Sequence, residues 1–254
     1  MSLIFARLNL ISENQLIKRK DLINDKYKCD IFINETKYTG AEQIKLKSKN
    51  RITYLFKDPC FDMSNMFENC VLLTTIDLSN FDTKNVKDLS YLFYNCENLK
   101  YVNLSNFITN KVTNMASMFY NCSSLSMLDL SYFNTSKVLN MMGMFSNCKI
   151  LSTLDLSNFD THNVISMIGM FHNCKSLVTL DLSNFNTMNV TNMNGMFYNC
   201  YSLNSLDISN FTCNKVNGQT GLQMMFEGCR FLKKSNVIYQ DNKIKNQIIV
   251  DLLN

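Results

Sequence analysis

Six cysteines, Cys70, Cys96, Cys122, Cys148, Cys174 and Cys200, stand 26 residues apart, and the residues between them keep a single register. A period of that length marks a repeat architecture, in which one supersecondary unit recurs and stacked neighbours share a core. The first complete unit runs from Cys70 to Asn95. Within it Ile76 and Leu78 alternate with Asp77 and Ser79, which is strand periodicity. Val86, Leu89, Leu92 and Phe93 recur at i, i+3, i+6 and i+7, which predicts one face of a helix. Each unit is therefore expected to be a short strand, a turn and a short helix. The fold class that follows is an α/β repeat solenoid with a parallel strand face and short helices opposite.

A single unit cannot bury its own apolar side chains, whereas ordering its backbone costs about 1–2 kcal/mol per residue. Stacking supplies the missing contacts, so stability becomes a nearest-neighbour sum. Both ends of the array depart from the template. Cys60, Met63, Met66, Phe67 and Cys70 repeat the second half of a unit, and after Val216 three extra residues enter within Asn217–Met224 before Met225, Phe226 and Cys229. The expected organisation is an amino-terminal segment, 1–59, acting as cap or docking part. The array follows over 60–229, as a half-coil at 60–69, five regular units at 70–199 and a degenerate unit at 200–229. A carboxy-terminal cap over 230–254 completes it. In the amino-terminal segment Phe5–Ile23 is expected to be an amphipathic helix, and Cys29–Lys37, Gln43–Lys47 and Arg51–Phe56 strands.

The chain has one Pro and seven Gly, so its turns must be closed by Asn, Asp, Ser and Thr. A net charge of +4 gives no reason to expect a nucleic-acid partner. The excess sits in residues 1–59, which hold 12 Lys/Arg against 7 Asp/Glu. The run Lys18-Arg19-Lys20 reads as a solvated helix face. No apolar run reaches the roughly 20 residues of a membrane span, and the apolar start is broken by Arg7 with no cleavage site behind it. These features favour the cytoplasm over the cell surface.

The unit C-x2-L-x2-L-D-L-S-x-F-x-T-x2-V-x2-M-x2-M-F-x-N-C resembles the BspA-type leucine-rich repeats. The likeness is to the variant of mycoplasma lipoprotein-like surface proteins, which is also expanded in protists. Its closest copies are C174-KSLVTLDLSNFNTMNVTNMNGMFYN199 and C148-KILSTLDLSNFDTHNVISMIGMFHN173, and the likeness covers about residues 60–229. It implies a right-handed, leucine-rich-repeat-like coil and a role in adhesion or partner contact without enzymatic activity. No lipobox or wall anchor accompanies it.

In a stacked array each repeat position becomes a column, spaced about 4.7–4.9 Å along the sheet. Asp77, Asn103, Asp129, Asp155, Asp181 and Asp207 form an outward column whose like charges must be offset by water, salt and hydrogen bonds, or by a basic partner or cations. Beside it run Ser79 and its equivalents, and on the other side Thr75, Tyr101, Met127, Thr153, Thr179 and Ser205. Tyr101 and Met127 depart from that small-residue column and are candidate anchors. Thr83, Thr109, Thr135, Thr161 and Thr187 are expected to cap the helices. The cysteines are expected to be reduced core thiols. With no C-x2-C pair they are not read as metal ligands, and no cofactor is expected. Tyr94, Tyr120, His172 and Tyr198 share a column expected to lie over the core.

Catalysis has little to draw on. His162 and His172 are the only histidines, both at variable, outward positions, and no phosphate loop or nucleophile elbow is present. The sequence thus points to a protein-interaction scaffold. Its contact residues would be Asp77, Tyr101, Asn103, Met127, Asp129, Asp155, Asp181 and Asp207, facing a protein partner that is basic if the acidic column is the contact. A surface adhesin and a structural component docked through residues 1–59 are the alternatives.

Overall fold

In each coil the segment after Val86 or its equivalent is a train of turns, not the expected helix. The amides of Leu89, Tyr91, Phe93 and Asn95 donate across to the carbonyls of Asn114, Ala116, Met118 and Tyr120 in the next coil at 2.8–2.9 Å. The intervening amides of Leu92, Tyr94 and Cys96 donate three residues back at 3.0–3.3 Å. Tyr91 and Asn95 both have φ of 57°, a left-handed conformation that no α-helix passes through. The same two positions are left-handed in the following coils, at Ser117 and Asn121, Gly143 and Asn147, Gly169 and Asn173, and Gly195 and Asn199. Asparagine and glycine tolerate that region best, which is why they recur there. Each turn returns an apolar residue to the core every three or four positions, so the hydrophobic pattern imitates a helix.

The computed structural model describes residues 2–8, 16–39, 44–45, 51–56, 59–218 and 220–252. Coils 1 to 5 are residues 70–95, 96–121, 122–147, 148–173 and 174–199, and coil 6 begins at Cys200. The strands are β1 (Ser2–Leu8), β2 (Leu16–Ile17), β3 (Asp30–Ile33), β4 (Thr36–Tyr38), β5 (Ile44–Lys45), β6 (Arg51–Phe56), β7 (Leu73–Asp77), β8 (Tyr101–Asn103), β9 (Thr179–Asp181), β10 (Ser205–Asp207) and β11 (Val237–Ile238). One α-helix is found among the described residues, α1 (Asn242–Leu252), beyond the last coil. A six-stranded sheet runs β4-β3-β6-β1-β7-β8, a three-stranded one β11-β10-β9, and β2 pairs with β5.

Three of the interior columns make contacts that tie coil to coil. Phe67, Phe93, Phe119, Phe145, Phe171, Phe197 and Phe226 stack with centroids 5.6–6.1 Å apart. Beside them the thiols from Cys96 to Cys229 each donate to the carbonyl of the phenylalanine three residues before the previous repeat cysteine, as Cys96 does to Phe67 at 3.0 Å and Cys148 to Phe119 at 3.3 Å. All ten cysteines are free thiols, and burial raises the pKa of the six column members from Cys70 to Cys200. A small apolar side chain with a weak donor fits this place, and neither a larger nor a strictly polar one would.

The threonines form the third column, and their role differs from the expected helix cap. Each buried hydroxyl staples two coils: Thr135 Oγ1 donates to Asp160 O at 2.9 Å and accepts from Asp160 N at 2.8 Å. Thr161 does the same with Asn186, at 3.0 and 2.8 Å. With no helix to cap, the hydroxyl instead satisfies main-chain groups of its neighbour.

The strand side is less continuous than the repeat predicts. β7 pairs in parallel with β8, and β10 with both β9 and β11, but residues 127–129 and 153–155 form no strand. The turn side, by contrast, is joined without a break by parallel bridges through Asp62, Asp88, Asn114, Asn140, Ser166 and Asn192.

Both ends of the array are paired. β1 lies antiparallel between β6 and β7, with Ala6 opposite Ile52 and Ile76. The expected helix over Phe5–Ile23 is therefore corrected. Residues 5–8 belong to β1 and Leu16–Ile17 to β2, a 3-10 turn follows at Arg19–Asp21, and residues 9–15 lie outside the described residues. Cys29–Lys37 is a hairpin turning at Asn34 and Glu35, and Arg51–Phe56 is a strand as expected. Of Gln43–Lys47 only Ile44 and Lys45 are described, paired in β5. Arg19 is not a solvated charge, since its guanidinium donates to Tyr27 O at 2.6 Å and sits 3.6 Å from Asp25. At the other end Asp241 caps α1 through the amide of Lys243 and accepts the amide of Cys213, so one carboxylate ties the helix to coil 6.

Replacing Thr161 by valine keeps the volume but leaves the amide and carbonyl of Asn186 without their partner. Chemical denaturation should show a loss of about 2 kcal/mol, the cost of stranding buried polar groups; an unchanged midpoint would refute the staple.

Candidate functional site

The outward column is built from Asx turns. Each member accepts the amide of the serine two residues on: Asp77 from Ser79, Asp129 from Ser131, Asp155 from Ser157, Asp181 from Ser183 and Asp207 from Ser209, all at 2.9 Å. Asn103 accepts from Ser105 at 3.1 Å with its amide oxygen. This is a local use of Asp and Asn that ends a strand and turns the chain. Most of the column, including its neutral member, is therefore explained by the turn.

The charges that remain are firm. Hydrogen bonds from Ser131 and Ser157, through the amide first and the hydroxyl second, hold the carboxyls of Asp129 and Asp155 below the usual aspartate range. At Asp181 the hydroxyl of Ser183 contributes more than its amide, with the same result. All three are exposed, and they gather on one open depression of about 600 Å³ that reaches from Tyr101 to Asn184. Tyr101, Asn103 and Met127 line it too, with Thr153 and Thr179 continuing their column. Tyr101 is 53% and Met127 72% exposed. Asp77 and Asp207 are not part of its lining and sit in the paired strands β7 and β10. The structure thus brings together six of the eight predicted residues and leaves the two end members apart.

The depression lies where the strand ladder is interrupted. Leu128 and Leu154, its central apolar floor, are partly exposed, whereas their equivalents Ile76, Val102, Leu180 and Leu206 are buried. Tyr132, two residues beyond Leu130, is 60% exposed. It replaces the asparagine that elsewhere clasps the preceding coil, as Asn106 does at Ser79 O and Asn184 at Leu156 O and Phe159 O. The sequence did carry that signal, because Asn80, Asn106, Asn158, Asn184 and Asn210 share its column. A clasp made by a side-chain amide is invisible until the fold shows what it grips.

The remaining candidates are scattered. Tyr94 stacks on Tyr120 at 4.7 Å and His172 on Tyr198 at 4.9 Å, with buried Ser146 between the two pairs. His172 is half-buried rather than outward, and burial lowers its pKa. His162 is exposed, its Nδ1 2.6 Å from Asp160 Oδ1. Neither faces a nucleophile among the hydrogen bonds of the described residues. No group of three His, Cys, Asp or Glu among the described residues converges as metal ligands would.

The model of a family described as "Mycoplasma protein of unknown function, DUF285" matches residues 61–155 and 147–247. The chain belongs to the DUF285 family. The match spans the coils and reaches α1, in keeping with the BspA-like repeat. The DUF285 chain is also similar to a leucine-rich repeat protein from Bacteroides ovatus ATCC 8483, at 16% identity over 85% of this chain and 77% of that one, with a TM-score of 0.34. No curated protein matches it. No helix among the described residues of this DUF285 protein is long and apolar enough to cross a membrane.

Because the folded-state pKa values of Asp129, Asp155 and Asp181 are lowered, their turns add stability above the ordinary aspartate pKa and lose it as pH falls through the lowered values. Exposure keeps that contribution small. Carboxyl-carbon NMR titration should place all three midpoints below about 3.9, the unperturbed aspartate value. Asp155→Asn should leave the melting temperature unchanged, since Asn103 makes the same turn. A midpoint at or above the unperturbed value would contradict the assignment.

Proposed function

We propose that this protein is a right-handed solenoid that serves as a non-enzymatic interaction scaffold, binding a basic protein partner through its strand face. Residues 1–59 and 230–254 act as caps in this reading, and it is supported at the amino end by β1, which occupies the edge of β7 that would otherwise be open to edge-to-edge pairing. Tyr54 supports it as well, packing on Phe67 with ring centroids 5.7 Å apart.

The observation that carries the reading is the depression itself, where three ionised carboxylates stand beside two large exposed side chains. An interface needs a few apolar anchors for affinity and complementary charge for steering and register. Tyr101 and Met127 supply the first, and Asp129, Asp155 and Asp181 the second. The regular template would have placed small residues at 101 and 127. The repeat alone therefore does not account for them.

Two variants separate charge from anchoring: Asp129→Asn with Asp155→Asn and Asp181→Asn, and Tyr101→Ser with Met127→Thr. Leu139→Thr with Ile165→Thr, on the turn side, is the control. In affinity capture followed by quantitative binding, the control should keep the partner and both strand-face variants should lose it, with melting temperatures unchanged. Retention of the partner by both strand-face variants would move the contact to another face.

A further inference from the structure

Along the array the same main-chain bond recurs wherever strands pair: Leu78 N donates to Asn103 O at 3.0 Å, Leu182 N to Asp207 O at 2.8 Å, and Ile208 N to Ile238 O at 2.8 Å. The equivalent donors in between are Leu104, Leu130 and Leu156, and among the described residues none of their amides reaches an acceptor. The matching carbonyls, of Asp129, Asp155 and Asp181, accept nothing from the coil before. These leucines are only 3%, 1% and 1% exposed. Buried main-chain amides without partners are rare in folded proteins, and each carries a desolvation cost that a suitable acceptor relieves. Leu104 and Leu156 line the depression and Leu130 lies in the coil between them, so three stranded amides in successive coils run through the interrupted stretch.

We infer that the interrupted ladder of coils 2 to 5 is a peptide-binding site, which takes an extended, lysine- or arginine-bearing segment of a partner chain and reads its main chain as well as its charge. This rests on the strand face being the binding face, and adds where on that face the contact lies and what kind of segment fills it. The match is chemical. Peptide carbonyls supply acceptors for the stranded amides, and peptide amides supply donors for the stranded carbonyls, which is how sheets take up an added strand. Cationic side chains meet Asp129, Asp155 and Asp181, and apolar ones meet Leu128 and Leu154. A folded basic surface offers charge but few free main-chain groups, so it satisfies only half of the site. The interruption also explains why the two leucines are partly uncovered here and nowhere else in their column.

The test uses the full chain and a soluble synthetic peptide of alternating lysine and valine, with the same peptide N-methylated at every second amide as its counterpart. Amide hydrogen exchange in the free protein should be faster at Leu104, Leu130 and Leu156 than at Leu78 and Leu182, and should slow when the peptide binds. The variant Asp129→Asn with Asp155→Asn and Asp181→Asn should bind about tenfold more weakly or worse, and the N-methylated peptide should lose a similar factor. If the three leucine amides are as protected in the free protein as those of Leu78 and Leu182, the ladder is closed and the inference fails, while the charged face stays available for a folded partner. Equal binding of both peptides overturns main-chain reading. Failure of the peptide to bind, alongside capture of a folded basic partner lost on Asp→Asn substitution, overturns this inference and leaves the scaffold reading intact. Loss of neither partner nor peptide on substitution overturns both.

Discussion

The array hangs on the ladder of hydrogen bonds along its turn side. Alternate amides in each coil, such as Met141 to Ser166 and Met167 to Asn192, both at 3.0 Å, reach across to the next coil instead of back along their own chain. That geometry requires left-handed residues twice per coil, and the asparagine before each repeat cysteine is one of them. It also sets the spacing at which phenylalanine rings stack, thiols meet carbonyls and threonine hydroxyls bridge. Each of those contacts is weak alone. Repeated at one spacing along the array, they form a core that no single unit has.

A continuous ladder on one side relieves the other side of holding the coils together. The strand side can then be interrupted over coils 3 and 4 while the interior columns run through unbroken at Phe119, Phe145 and Phe171. The freed surface carries the departures from the template: Tyr101, Met127 and Tyr132. Asp129, Asp155 and Asp181 are ordinary members of the template by contrast. Their turn explains why they recur, and only the loss of strand pairing beside them gives their charge a shaped site.

Much of this was legible in the sequence, and the illegible parts have physical causes. The 26-residue register gave the stacking and the inward positions, because burial is encoded directly in apolar spacing. The turn train was misread as a helix because Leu89, Leu92 and Phe93 return to the core at helical intervals whether the chain coils or turns. Asn95 and the residues in its column carried the contrary signal. Asparagine at a fixed place before each cysteine favours a left-handed turn over a helix. The threonine staples and the asparagine clasp were beyond reach, since each is a contact between residues about 25 apart whose partners are main-chain atoms without sequence identity. The interruption of the strand ladder is further still from the sequence, because residues 127–129 and 153–155 keep the alternation of a strand. Six of the eight predicted contact residues converge on one depression for that reason, and Asp77 and Asp207 do not.

Through-hydrogen-bond NMR couplings test the turn-side ladder most directly, because they identify donor and acceptor as a pair. If alternate turn-side amides hold the coils together, Met141 N–H couples to the carbonyl of Ser166 and Met167 N–H to that of Asn192. A coupling from Met141 to Lys137, four residues back, would mean that each unit carries a helix after all, and the ladder on which the array depends would not exist.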